Sequence, residues 1–177
     1  MKQTVVRHTK VDVPAGICYG VTDVPLAKSA PDEIARITRE LQKEQFDAVF
    51  TSPLSRCRVL AEAIRPAQEL IIDHRLLELN FGDWEMVPWQ QIYDQEYGKK
   101  WFDDYIHLSC PNGQSYMDMA NELKSFINEL QQQNYDHVLI VAHAGIIRVL
   151  MSLTHQRNPL EIFDIQVSFG GIFTFNI

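Results

Sequence analysis

The stretch Val138-Leu139-Ile140-Val141-Ala142-His143-Ala144-Gly145 decides the fold. Its first five residues are apolar without a break. A strand with one wet face alternates polar and apolar residues, whereas a strand covered on both faces does not. The run therefore predicts a strand in the middle of a parallel sheet. From Ala144 to Leu153 the chain reads as a helix that is apolar almost all round, hence buried against that sheet. Parallel strands need crossover connections, so further strand and helix signals are expected on either side.

They are present. Val5-Val6 stops abruptly at Arg7-His8, a short strand running into a polar loop that carries Pro14, Gly16 and Gly20. Ser29 and Pro31, with Asp32 and Glu33 in the first turn, open a helix whose apolar positions are Ile34, Ile37 and Leu41. Ala48-Val49-Phe50 reads as a second strand. Ser52-Pro53 opens a helix with Cys57, Leu60, Ala61 and Ile64 on one face, and Leu70-Ile71-Ile72 reads as a third strand. Tyr116, Met119, Ala120, Leu123, Ile127 and Leu130 form one helical stripe, capped by Ser115. The chain end alternates around Gly170-Gly171 as a strand or hairpin. Interleaved strands and helices make this an α/β sandwich.

Residues 84–112 stand apart as a helical, aromatic-rich insertion. Trp89, Tyr93, Tyr97 and Trp101 are spaced four apart, which places them on one helical face. That face is expected to be core, with a cap over an aromatic leaving group as the other reading. A length of 177 residues fits one domain spanning 1–177.

The net charge of −7 argues against a nucleic-acid or anionic-membrane surface, since both call for clustered Lys and Arg. An anionic small molecule can still bind if a few arginines are placed locally. Cys18, Cys57 and Cys110 are scattered and odd in number, as expected of free thiols in a reducing cytoplasm. No apolar run is long enough for a signal peptide or a bilayer span, so a cytoplasmic, membrane-free protein is expected. His74, His107, His137 and His155 lack metal-ligand spacing and read as structural or surface residues, and no metal or cofactor is implied.

The chemistry gathers at strand ends. His8 and His143 each follow an apolar strand directly, and Arg7 precedes His8. Arg56 lies at the start of the helix after the second strand, and Glu78 follows the third. Ligands of α/β sheets bind at the carboxyl ends of the strands. Arginine forks grip phosphate oxygens and stay charged. An unprotonated imidazole can attack phosphorus, and a second imidazole can stabilise charge on the equatorial oxygens. A carboxylic acid can protonate the leaving oxygen and then act as base on water. Glu78, at the end of the third strand, is one candidate for that role, with Asp23, Asp83 and Glu85 as nearby alternatives. Tyr19 and Thr22, in the loop after His8, are candidate substrate contacts, and Cys18 is expected to pack.

Four segments in order are Arg7-His8, Thr51-Ser52-Pro53-Leu54-Ser55-Arg56, Glu78-Leu79-Asn80-Phe81-Gly82-Asp83-Trp84-Glu85 and Val141-Ala142-His143-Ala144-Gly145. They resemble the successive motifs of the histidine phosphatase superfamily, also called phosphoglycerate mutase-like, over nearly the whole chain. The resemblance implies a three-layer α/β/α sandwich with a mostly parallel sheet and no required metal. It implies His8 as phosphorylated nucleophile, Arg7, Arg56 and His143 in the phosphate pocket, and Glu78 as proton donor. Arg7-His8-Thr9-Lys10-Val11 and the segment Gly16–Leu26 are most similar to the α-ribazole phosphatase branch. That implies removal of the 5′-phosphate of α-ribazole 5′-phosphate in cobalamin synthesis. Thr9, where mutases carry glycine, and Pro14, in the stretch where they carry asparagine, depart from the mutase pattern. Met86 stands where the family usually has glycine. The remaining readings are a broad-specificity sugar or nucleotide phosphatase, a phosphoglycerate mutase, and a non-catalytic phosphate-binding regulatory module. The sequence carries no sign of oligomeric state.

Overall fold

The computed structural model describes residues 1–65, 67–155 and 165–176. The elements in chain order are β1 (Lys2–Arg7), α1 (Ala30–Leu41), β2 (Ala48–Thr51), α2 (Ser55–Ile64), β3 (Leu70–Ile72), α3 (Trp89–Asp94), α4 (Glu96–Asp103), α5 (Tyr116–Leu130), β4 (His137–Ala142), α6 (Ala144–His155) and β5 (Ile172–Asn176). Short 3-10 turns occupy His74–Leu76 and Gly82–Trp84.

The sheet order is β3-β2-β4-β1-β5. β4 is central and pairs in parallel with β2 and β1, as its unbroken apolar run requires. Its residues divide between two cores. Val138, Ile140 and Ala142 face a core that includes Leu123 and Ile127 of α5 and Ile146, Ile147 and Leu150 of α6. Leu139 and Val141 face Ile37 and Leu41 of α1 and Cys57, Leu60 and Ala61 of α2. Helices thus cover both faces of a mostly parallel sheet, the expected α/β/α sandwich. Every residue from Val138 to Ala142 is fully buried, so truncating Ile140 to alanine should cost about 2–5 kcal/mol.

Register positions the chemistry. Arg7 is aligned with Ala142 and Thr51 with Val141. The residues that follow, His8, His143 and Ser52, therefore leave the sheet together at its carboxyl edge.

Three local expectations change. β5 forms no hairpin; it pairs antiparallel with β1, because the turn at Gly170 (φ +61°) returns the chain beside the first strand. The four-residue aromatic spacing does not make one continuous helical face, since the helix breaks at Gln95 (ψ 144°). α4 folds back against α3 so closely that a Cβ on Gly98 would lie 1.7 Å from the Ile92 carbonyl oxygen. Trp101 is buried while Tyr93 and Tyr97 are exposed. Finally, α2 begins at Ser55 and not at Ser52-Pro53, with Asp23 accepting from the Ser55 N–H (3.0 Å) and hydroxyl (2.8 Å). Ser115 caps α5 as expected, in a reciprocal box with Asp118.

Candidate active site

His8 is 2 % exposed. Its Nδ1 lies 2.8 Å from the Thr9 carbonyl oxygen. A carbonyl can only accept, so Nδ1 carries the proton and Nε2 keeps its lone pair. Burial, then the Arg56 charge, push the His8 pKa down to about 3, with Arg7 adding to the effect and the Thr9 hydrogen bond opposing it. The ring is neutral at any physiological pH. Its centroid is 5.2 Å from that of His143, edge to face.

His143 is fully buried behind the cavity. The Ser52 hydroxyl fixes its Nε2 at 2.8 Å, and the Cys57 Sγ lies 3.5 Å from the same atom. Burial, His8 and the two arginines hold its pKa well below the ordinary imidazole value. A dianion bound beside it would oppose that shift.

The arginines are held by oxygens that carry no full charge. Arg56, fully buried at the start of α2, donates Nη1 to Thr22 O (2.8 Å) and Nη2 to Gly20 O. Arg7 donates Nη1 to Val167 O and lies flat on Phe169, 3.8 Å from the ring centroid. Burial lowers the Arg7 pKa, against the opposing pull of Glu78 and Tyr19. Among the described residues, the buried Nε atoms of both arginines have no hydrogen-bond partner. Among the described residues, no carboxylate forms an ion pair with either guanidinium. A fully buried cation beside a half-buried one, neither ion-paired with a carboxylate, is an expensive arrangement unless a ligand completes it.

Glu78 enters from the opposite wall. Its Oε2 accepts from the Gly145 N–H at the start of α6 (3.1 Å), and its Oε1 from the Leu79 N–H (3.0 Å). The Gly145 backbone approaches this carboxylate closely: a Cβ on Gly145 would sit 2.0 Å from Oε1.

The alternatives to Glu78 are engaged elsewhere. Asp23 caps α2, and Asp83 accepts from the Asn112 side chain at 2.8 Å. Glu85 is a staple. It accepts the N–H groups of Gly20, Val21, Thr22 and Phe81 and the Thr22 hydroxyl (2.6 Å). Burial pushes its pKa up, but those hydrogen bonds outweigh it and hold the carboxyl below its usual range. Glu85 thereby presents the Gly20 and Thr22 carbonyls to Arg56. The Thr22 side chain is spent on Glu85, and the residue does not line the cavity. Tyr19 does line it, beneath Arg56 (5.6 Å from guanidinium carbon to ring centroid). Burial raises the Tyr19 pKa against the pull of Arg7 and Arg56.

The cavity measures about 290 Å³. Arg7, His8, Arg56 and Glu78 form its polar end, while Ile17, Tyr19, Leu79, Phe81, Trp89 and Met119 form an apolar wall. Arg148 of α6 also lines it, with Nε (3.2 Å) and Nη2 (3.1 Å) donating to Ile165 O.

Sequence reasoning missed Ser52, Arg148 and Phe169 as site residues; Trp89, expected as core with a cap as the other reading, lines the cavity. Ser52 follows β2 as His8 follows β1, and Arg148 lies four residues after Ala144 on one helical face, so both carried a positional signal. Phe169 had none. Met86, at the unusual position, adopts φ +64°, a conformation that glycine reaches without strain. Among the described residues no group of three or more His, Cys, Asp or Glu is arranged to hold a metal ion, and no helix is long and apolar enough to cross a membrane.

The sequence pattern of the histidine phosphatase superfamily (branch 1) matches residues 4–177. Phosphoserine phosphatase 1 of Hydrogenobacter thermophilus is 24% identical over 85% of this chain and 74% of its own. The adenosylcobalamin/α-ribazole phosphatase of Escherichia coli is 26% identical over 86% and 78%. Among solved structures, the α-ribazole phosphatase of Shigella flexneri superimposes with a TM-score of 0.91 at 24% identity, covering 100% of this chain and 91% of that one.

Proposed function

This chain belongs to the histidine phosphatase superfamily (branch 1), and from that premise we propose that it is a phosphomonoesterase working through a phosphohistidine on His8, with α-ribazole 5′-phosphate as favoured substrate. The observation that carries the reaction is the fully buried Arg56 guanidinium and the half-buried one of Arg7, both without an ion-paired carboxylate among the described residues and set beside an imidazole whose Nε2 lone pair is free. A phosphomonoester dianion supplies the missing charge. Arg7 and Arg56 bind its oxygens through the unpartnered Nε groups and adjoining N–H donors.

His8 Nε2 attacks phosphorus in line. The N–P bond forms as the P–O bond to the leaving group breaks, and Glu78 gives its proton to the departing oxygen. Water then attacks the phosphohistidine, Glu78 takes its proton, and the N–P bond breaks to release phosphate and neutral His8. His143, anchored by Ser52, stabilises the equatorial oxygens as charge moves through the transition state. His8→Ala should abolish hydrolysis of p-nitrophenyl phosphate, whereas excess EDTA should leave it intact. Turnover retained by the variant would refute the mechanism.

The apolar wall from Ile17 to Met119 supports a leaving group with a flat, apolar ring, as α-ribazole has. Such a substrate would place the enzyme late in cobalamin assembly, in the cytoplasm. A second reading, phosphoserine hydrolysis, is favoured by Arg148 on the cavity wall, a cation suited to a substrate carboxylate. Comparing kcat/KM for α-ribazole 5′-phosphate, phosphoserine, 3-phosphoglycerate, mononucleotides and sugar phosphates decides between them. No advantage for α-ribazole 5′-phosphate would defeat the specific assignment.

A further inference from the structure

Phe169 meets two residues of the catalytic set at once. The Arg7 guanidinium carbon lies 3.8 Å from its ring centroid, and the His8 ring is tilted 55° to it with centroids 5.6 Å apart. Phe169 does not line the cavity that holds His8, Arg56 and Glu78. It lines a separate groove with Lys10, Pro14 and Gly16. Its influence on an anion in the first cavity therefore passes through Arg7 and His8. The backbone on either side of the ring is tied to the same strand end. The Arg7 N–H donates to Gly171 O at 3.0 Å, and the Gly170 N–H donates to His8 O at 3.1 Å. Arg7 Nη1 donates to Val167 O. The ring thus has a fixed place beside the nucleophile.

The contacts of Arg7 explain why a ring is needed there. Val167 O and the Tyr19 hydroxyl hold its guanidinium by hydrogen bonds at the edge. Two edge contacts leave the group free to rotate about the line joining them. A contact on its face removes that freedom, because a planar cation is drawn onto the negative π surface of an aromatic ring. The plane matters for function, since a guanidinium grips phosphate oxygens with N–H donors that lie in its plane. A leucine or methionine would fill similar space and offer no such face.

We propose that Phe169 is a positioning residue for phosphoryl transfer, setting the plane of the Arg7 guanidinium and the angle of the His8 ring relative to each other. The inference rests on the phosphatase reading and extends it to a residue outside the cavity. Phosphate binding reads the Arg7 half of this role, and turnover reads both halves.

The test uses the intact protein, inorganic phosphate titrated by phosphorus NMR, which reads affinities into the millimolar range, and turnover of p-nitrophenyl phosphate. Phe169→Leu should raise the phosphate Kd roughly tenfold, the scale of a partly desolvated cation–π contact. Its kcat/KM should fall further, roughly 10²-fold, because a displaced nucleophile adds to the weaker binding. Phe169→Tyr keeps the face and should recover most of both losses. Phe169→Met should match the leucine variant, and it carries the test if the leucine variant does not fold. In an Arg7→Ala background, Phe169→Leu should change the phosphate Kd by less than about twofold, since the ring then has no guanidinium to hold. A residue that served packing alone would give the same loss in both backgrounds, and that result overturns the proposal. So does a tyrosine variant no better than leucine, or a leucine variant whose phosphate Kd stays within about twofold of wild type. Wild-type protein that binds phosphate but hydrolyses no ester would sink the phosphatase reading, while the phosphate titrations still decide whether Phe169 orients Arg7.

Discussion

Gly145→Ala is the sharpest probe of the catalytic arrangement, because it alters no ionisable group. The new Cβ would lie 2.0 Å from Glu78 Oε1 and 3.2 Å from Met119 Cε. Ordinary contact begins near 3.4 Å, so the carboxylate must retreat by about 1.4 Å. Retreat also strains the Gly145 N–H bond to Oε2, now 3.1 Å. A displacement of about 1 Å in a reacting group costs on the order of 10²-fold in rate, and loss of a general acid 10²- to 10⁴-fold. A drop of at least 10² in kcat/KM is expected with phenyl phosphate, equivalent to about 2.7 kcal/mol of transition-state stabilisation. The proton matters only when the leaving oxygen needs it. With 2,4-dinitrophenyl phosphate, whose phenolate departs unprotonated, kcat/KM should fall by less than about fivefold, since that constant covers only steps up to phosphoryl transfer. The assay is the series of aryl phosphates arranged by leaving-group acidity, whose slope should steepen in the variant. An equal loss on both esters would refute Glu78 as the acid and point to general disruption of the pocket.

Other outcomes follow from the same geometry. Met86→Gly relieves a left-handed residue, a strain of about 1–2 kcal/mol. Part of the gain is lost to the freer unfolded chain, leaving roughly 0.5–1 kcal/mol and a rise of about 2–3 °C in Tm by calorimetry. An unchanged or lower Tm would contradict it. His8, with its pKa near 3, and His143, also lowered, stay unprotonated where the unfolded chain gains protons. Their contribution to stability is complete above pH 6.5 and is lost as pH falls toward 3. Urea midpoints between pH 6.5 and 4.5 should therefore decline, with His8→Asn shallowing the slope by up to about 1.4 kcal/mol per pH unit. Phosphate or vanadate should stabilise the protein by completing the Arg7 and Arg56 charges, about 2.7 kcal/mol at a hundredfold excess over Kd. Arg56→Lys should erase most of that thermal shift, because an ammonium cannot hold the Gly20 and Thr22 carbonyls while reaching the anion.

Much of this molecule was legible before any coordinates. The uninterrupted run Val138–Ala142 required a strand covered on two sides, and that alone implied helices on both faces. His8 and His143 could be placed at strand ends because hydrophobic runs mark where strands stop. These are local properties, carried by side-chain polarity along the chain. The aromatic spacing at 89–101 misled, because the break at Gln95 is a backbone event that four-residue spacing does not encode. Glu78, Glu85, Asp23 and Asp83 were indistinguishable as acids in one dimension. Only the fold turned Glu78 into the cavity, set Glu85 on the loop amides and spent Asp23 on a helix end. The role of Gly145 needed the approach of a residue 67 positions away. The contact between Arg7 and Phe169 likewise joins segments far apart in the chain. Side-chain polarity along the chain was enough to place the sheet strands and to show which reactive groups stand at their ends. The tertiary structure decided which groups meet, because contacts between residues far apart in the chain are fixed by packing of the whole and by no local pattern.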